Sequence, residues 1–238
     1  MRILTSFSLW FLLIGISWAG VLFDDFKAPR LAEDIWWVKT TGKAKAEIRD
    51  GTLVLSSFDV PDSIFLFYRE PIGKGEPITV EVRIDVNTNP NDGWLGFFQD
   101  FPGKSHNNSI INAMKNVGTM FFVERGGKSV QPRGEDGKRA ALLPLDEGFH
   151  IFKIEVTKSE YRMFIDGKEV LSGNRNDEGY IKRVFYITPD GFDNFYGNAT
   201  YTVDWVKLSG PGIPDRTVGA DVSPRPALAV TWGEIKTR

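Results

Sequence analysis

The chain has 238 residues, a net charge of −2 and no cysteine, with a pI near 5.8. The balanced charge supplies no basic field for nucleic acid, and the lack of cysteine excludes a disulfide framework, a lipidated thiol and a cysteine-ligated zinc site. Hydrophobic residues make up 42% and aromatic residues 13%, which is material for one large core, and all-β sandwiches commonly reach this length as a single domain.

Residues 1–19 carry the three parts of a signal peptide: Arg2 as the lone positive charge, an apolar run over 9–16, and Ser17-Trp18-Ala19 as a small-x-small cleavage site. The apolar run falls short of the roughly 20 residues that span a bilayer. Cleavage after Ala19 is therefore expected, giving a secreted protein, extracellular or periplasmic, whose fold rests on its core alone.

Residues 21–26, VLFDDF, predict a short strand with paired aspartates. Strands follow at 36–40, 45–50 and 52–57, with Asp50-Gly51 as a tight hairpin turn between the last two. Another is expected at 63–69. Over 77–86, Ile78, Val80, Val82, Ile84 and Val86 line one face, while Thr79, Glu81, Arg83 and Asp85 line the other. The cluster NTNPND at 87–92 marks a turn, and GWLGFFQDF at 93–101 an aromatic strand. Segments 118–125 and 180–188 add two more strands. At 149–168, FHIFKIEVTKSEYRMFIDGK, the period of two returns. His150, Phe152, Ile154 and Val156 point one way, a polar turn follows, and Asp166-Gly167 supplies a two-residue turn into a third strand. Residues 201–208, YTVDWVKL, read as an alternating strand. No long amphipathic helix is predicted; 109–116 makes at most one helical turn.

About a dozen short strands joined by Gly, Asp and Asn turns predict an all-β fold, two antiparallel sheets packed as a jelly-roll sandwich over 20–209. The polar insertions 102–117 and 126–148 are expected as rim loops, where recognition usually sits. Residues 210–226 are rich in proline and glycine and read as a linker. The tail 227–238, ALAVTWGEIKTR, has the alternation of an edge strand and is the expected attachment for a cell-surface partner.

Three blocks carry a family resemblance. VEVRIDV followed by GWLGFF within 78–98, the hairpin over 149–170 and TVDWVKL at 202–208 together resemble the concanavalin A-like superfamily. The likeness is strongest to the framework of glycoside hydrolase family 16 and its laminin-G-like relatives, and it spans 21–208. It implies a glycan or polysaccharide partner. It also implies a structural calcium near the N-terminal strand, held by Asp204, with Asp24 and Asp25 as neighbouring ligands by analogy, since calcium takes hard oxygen donors. One departure is plain. The resembled hydrolases keep nucleophile and acid in an E-x-D-x-(x)-E strand, and 100–148 holds only the scattered carboxylates Glu124, Glu135 and Asp136. Retaining hydrolysis needs two carboxyl groups about 5–5.5 Å apart.

The candidate binding residues are Glu81, Arg83, Asp85, Trp94 and Tyr186. Glu81 and Asp85 lie roughly 13 Å apart along an ideal strand, and Arg83 between them favours both as carboxylates. That face is either an ion-paired surface or the polar lining of a glycan groove beside the aromatic strand. Trp94 and Tyr186 are the candidate stacking platform, with burial in the core as the other reading. His150 is in phase with core residues; His106 lies in a polar stretch without metal-ligand partners. No Ser-His-Asp spacing and no glycine-rich phosphate loop is present. Three classes remain open: a secreted non-catalytic carbohydrate-binding or adhesion module, a divergent glycoside hydrolase or other carbohydrate-active enzyme with relocated carboxylates, and a structural cell-surface interaction domain.

Overall fold

Strand alternation over 78–85 and 149–156 implies one buried and one outward face, and the computed structural model bears this out for both. It describes residues 19–58, 63–70, 77–86, 92–99, 118–124, 126–175, 183–189 and 198–219. The strands are β1 (Ala19–Asp24), β2 (Trp36–Thr41), β3 (Lys45–Arg49), β4 (Thr52–Ser57), β5 (Ser63–Tyr68), β6 (Ile78–Asp85), β7 (Gly93–Gln99) and β8 (Gly118–Val123). They continue with β9 (Ser129–Arg133), β10 (Leu143–Pro144), β11 (Phe149–Val156), β12 (Glu160–Ile165), β13 (Lys168–Asn174), β14 (Arg183–Thr188), β15 (Ala199–Pro211) and β16 (Arg216–Val218). No helix occurs among the described residues.

The larger sheet has nine strands, ordered β13-β12-β11-β6-β15-β1-β16, with β4 also paired to β15 and β3 to β4. The smaller has seven, ordered β10-β9-β8-β7-β14-β5-β2. All pairings are antiparallel except β1 with β16. Val80, Val82 and Ile84 of β6 and Phe152, Ile154 and Val156 of β11 meet Leu66, Leu95, Phe97, Phe121, Phe185 and Ile187 of the other sheet in one core. Each such side chain stabilises the fold by about 1.5–3 kcal/mol when fully buried. This is the two-sheet sandwich expected from the sequence.

β15 is not the uninterrupted alternating strand that its sequence suggests. Its register on β6 slips between Val203 and Trp205. Before this bulge Tyr201 and Val203 point into the core; after it, Val206 and Leu208 do. The extra residue, Asp204, reverses the parity and keeps Tyr201, Val203, Val206 and Leu208 buried, while Trp205 stays half-buried. The two Asp-Gly hairpins form as expected, with positive φ at both positions: Asp50 (50°) and Gly51 (73°), Asp166 (49°) and Gly167 (78°).

Two expected boundaries are corrected. The insertion 126–148 is not a plain loop, since β9 and β10 extend the smaller sheet through it. Pro132 hides β9 from a pattern reading. Its carbonyl accepts from the Ala140 amide on the side away from β8, so its missing N–H falls on that side and breaks no bond to β8. The region assigned to a linker also contributes to the sheet up to Val218. β15 runs on to Pro211, and β16 lies against β1, with Ile213 and Val218 buried. Segments 1–18, 102–117 and 220–238, with all but the last residue of the expected signal peptide, one insertion including His106, and the tail, lie outside the described residues.

His150 fastens the β12–β13 turn to β11. Its Nδ1 lies 2.7 Å from Asp166 Oδ2 and its Nε2 2.9 Å from the Asp146 carbonyl oxygen. Ile151 N donates to the other Asp166 oxygen at 2.8 Å. Burial pulls the imidazole pKa down, but the Asp166 carboxylate and the Asp146 carbonyl outweigh it and leave the pKa raised above 6.5.

Two outcomes follow. A raised folded pKa means that the stability from His150 is fully present below its unfolded value and lost as pH rises through the higher folded one. Melts between pH 5.5 and 8.5 are expected to fall more steeply for wild type than for His150→Gln; parallel curves would refute this. Deleting 220–238 is expected to leave the midpoint of urea unfolding unchanged, whereas deletion from residue 210 removes β16 and buried Ile213 and Val218 and lowers it clearly.

Candidate functional site

The smaller sheet has a second apolar layer on the face turned away from the core. Cross-strand register builds it. Trp37 lies opposite Phe67, Phe67 opposite Tyr186, Tyr186 opposite Gly96, Gly96 opposite Met120 and Met120 opposite Arg133. Alongside, Thr188 lies opposite Trp94, Trp94 opposite Phe122 and Phe122 opposite Gln131, with Lys39 opposite Phe65 near the other edge. Phe65, Phe67, Trp94, Met120, Val184 and Tyr186 form a cluster separate from the core, against which Trp37 and Phe122 pack half-buried.

Ring geometry consolidates this layer. Phe65 and Phe67 stack at 5.6 Å, and Trp94 meets Phe122 at 4.6 Å between centroids. Gly96 sits at φ 148°, and a Cβ there would fall 2.5 Å from the Thr119 carbonyl oxygen. The Tyr186 hydroxyl donates to Met120 Sδ at 3.6 Å, spanning from β14 to β8. Complete burial pushes the Tyr186 phenol well above its ordinary pKa, so it stays a neutral donor.

Arg133 closes one end. Its guanidinium carbon lies 4.0 Å from the Phe122 ring centroid and 5.0 Å from that of Trp94, and its Nε donates to Gln131 Oε1 at 2.9 Å. Burial first, and the neighbouring Arg139 second, lower its pKa to about 10. It remains a cation at neutral pH, partly desolvated, and such a cation over aromatic faces contributes up to about 2 kcal/mol.

The sequence-derived candidates divide between opposite surfaces. Trp94 and Tyr186 do lie together on this face, yet they expose 4% and 0% of their surface. They form the floor of the layer rather than open stacking plates; the open aromatics are Trp37 and Phe122. Glu81, Arg83 and Asp85 lie on the outer face of the larger sheet. There Arg83 pairs with Asp204 and lies 4.7 Å from the Phe149 ring, and Glu81 meets Lys207 at 3.2 Å. A groove formed by β6 beside β7 does not exist, because these strands belong to different sheets. Sequence reasoning missed Trp37, Phe122, Gln131 and Arg133. The consecutive pair Trp36-Trp37 was the legible signal, since adjacent residues of a strand must face opposite ways.

The three aspartates expected around calcium do not converge. Asp24 turns inward, 1% exposed, and accepts from Trp36 Nε1 at 2.7 Å and Phe26 N at 2.9 Å. Burial raises its pKa, with these two bonds pulling the other way. Asp25 faces Lys27 at 2.8 Å, and Asp204 faces Arg83. Among the described residues no group of three His, Asp or Glu side chains is placed to hold a metal ion, and these aspartates do not fit one as a shared set. A crevice of about 470 Å³ lies elsewhere, along β2 and β3, where Leu31, Trp36, Val38, Ala46 and Ile48 form the open margin of the core.

No family model matches the sequence, and no curated protein matches it. Solved structures do share the fold. The carbohydrate recognition domain of Emp47p superposes with a TM-score of 0.56 at 11% identity, covering 82% of this chain and 96% of that one. The endo-beta-1,3-glucanase from Pyrococcus furiosus gives 0.54 at 14%, covering 79% and 92%. A lichenase derived from a mouse hindgut metagenome gives 0.54 at 18%, covering 81% and 99%. The chain therefore has the concanavalin-like β-sandwich fold of these proteins.

Trp94→Ala is expected to cost about 3–5 kcal/mol in urea unfolding, as for a buried aromatic, and Trp37→Ala distinctly less. Equal costs would mean that the layer is not floored as described.

Proposed function

We propose that this chain is a secreted, non-catalytic carbohydrate-binding module that lays polysaccharide along the outer face of the smaller sheet. The observation that carries the reading is the second aromatic layer. A two-sheet sandwich needs one apolar layer, between its sheets. Here Phe67, Tyr186 and Trp94 build the buried floor of another on the far side, with Trp37 and Phe122 as its half-buried, open rings, ending in the polar group Gln131 and Arg133. Aromatic planes with a few placed polar groups suit a sugar, which offers apolar ring faces and hydroxyl edges. Structures of this fold include both a carbohydrate recognition domain and glucanases, so the fold supports a glycan partner without choosing between binding and cleavage. Export rests on the leader-like residues 1–19.

Hydrolysis is the competing reading, and one observation favours it. Asp92 and Glu124 stand one residue beyond the Gly93–Val123 register pair, which sets two carboxylate positions side by side at the end of β7 and β8. Ser129 Oγ donates to Glu124 Oε2 at 2.6 Å. These two positions come from the ends of neighbouring strands and not from one E-x-D-x-(x)-E strand, which the sequence lacks over 100–148, so binding without cleavage is preferred.

The test is affinity electrophoresis of the mature protein against a polysaccharide panel, with a reducing-end assay in parallel. A shallow face of this kind is expected to bind at about millimolar Kd, near −4 kcal/mol. Trp37→Ala is expected to weaken binding and Glu124→Gln to leave it unchanged, with no reducing ends released. Release of reducing ends that disappears in Glu124→Gln would replace this reading with hydrolysis.

A further inference from the structure

The Arg133 end of the aromatic face carries a charge arrangement that the fold does not require. Residues 134–138 make a tight turn, with Gly134 N donating to the Lys138 carbonyl at 2.8 Å and Gly137 N to that of Gly134 at 3.1 Å. At its base Arg133 and Arg139 face each other as an antiparallel bridge. Like charges directly opposite across a strand pair repel, and Arg139 is one of the groups that make Arg133 harder to protonate. The Asp92 carboxylate favours the charged form of Arg133 from a distance and acts against the Arg139 effect, but no salt bridge among the described residues joins a carboxylate to either arginine. Between them lies a cavity of about 60 Å³ lined by Gly118, Met120, Arg133, Gly137, Lys138 and Arg139, with no acidic residue in its wall.

The turn is also held in place from the other sheet. Asp136 accepts from the Tyr161 hydroxyl and from Lys138 N. A Cβ at Gly134 would fall 1.7 Å from the Tyr161 oxygen, and one at Gly173 would fall 2.3 Å from Asp136 Oδ2. Lys138 Nζ is drawn to Asp136 at 3.5 Å and to the Ser172 carbonyl at 3.4 Å, which leaves the arginine pair as the positive element of the cavity. The planar guanidinium of Arg133 is fixed by Phe122, Trp94 and Gln131, and such a fixed fork matches the oxygens of a planar or tetrahedral anion.

We propose that Arg133 and Arg139 bind the anionic substituent of an acidic polysaccharide, a sulfate ester or a uronate carboxylate, whose neutral rings lie along the adjoining aromatic face; this rests on the glycan reading above. The substituent relieves the repulsion between the two arginines, and the glycines let it approach the backbone.

The experiment measures binding of the mature protein to matched polymers: a sulfated galactan and its desulfated form, a polyuronate and its carboxyl-reduced form. At least one charged polymer is expected to bind about tenfold to a hundredfold more tightly than its neutral partner, the scale of a charge-assisted hydrogen bond, and the advantage is expected to shrink at high salt. The pair that shows it identifies sulfate or carboxylate as the ligand. Arg139→Ala is expected to abolish the advantage without lowering Tm, since it removes an exposed like charge, and Arg139→Lys to restore it only in part. If charged and neutral polymers bind equally and Arg139→Ala changes neither, the anion site is wrong while the glycan reading stands. If no polymer binds, both are wrong.

Discussion

β15 is the spine on which the rest of the sandwich depends. Along one edge it hydrogen-bonds to β6; along the other it bonds first to β4 and then to β1. Any error in its side-chain parity would be copied into three neighbours, because a shift of one residue moves a whole apolar set to the solvent side. The bulge at Asp204 prevents this. It lets Tyr201 and Val203 serve the part of the core beside β4, and Val206 and Leu208 the part beside β1. The bulge also sets Asp204 where its carboxylate meets Arg83. That partnership accounts for the Glu81-Arg83-Asp85 face as a charge lattice over a sheet, since exposed pairs of this sort contribute little individually but keep a broad β surface wet.

The two outer faces thus differ in kind. On the larger sheet, acids and bases neutralise one another along and across strands: Lys153 with Glu155 on β11 at 2.5 Å, Arg162 with Glu169 across β12–β13 at 2.6 Å, Lys207 with Glu81 across β15–β6 at 3.2 Å. On the smaller sheet, rings cover the floor and a cation stands at the edge. A surface whose charges are mutually satisfied offers little to a ligand, whereas one that keeps a partly desolvated cation beside aromatic planes offers both contact area and direction.

Much of this architecture was legible in the sequence, and the parts that were not have definite causes. The alternation over β6 and β11 and the two Asp-Gly turns were readable because one face of each strand is apolar and the other polar. β9 escaped because Pro132 and a run of Gly, Glu and Asp imitate a loop; only the three-dimensional pairing with β8 turns SVQPR into a strand. β16 escaped because three residues between proline and glycine carry no period. The candidate site was harder. β7, β14 and β5 are apolar on both faces, so periodicity could not say which aromatics face outward, and for Trp94 and Tyr186 it left a stacking platform and burial both open; the structure buries them. The split between β6 and β7 could not be read at all, because adjacency in sequence says nothing about which strands share a sheet.

The parallel pairing of β1 with β16 has a mechanical consequence. Gly20 stands near one end of β1, opposite Gly210, while Val218 closes β16 at the other, beside Asp24. A pull applied between those two points runs along the strands, so it loads the hydrogen bonds of this ladder in shear, all together, instead of unzipping them one after another. A domain tethered through these points to a surface on one side and a load on the other would resist detachment by force far better than its equilibrium stability alone implies, because forced rupture is governed by the unfolding rate.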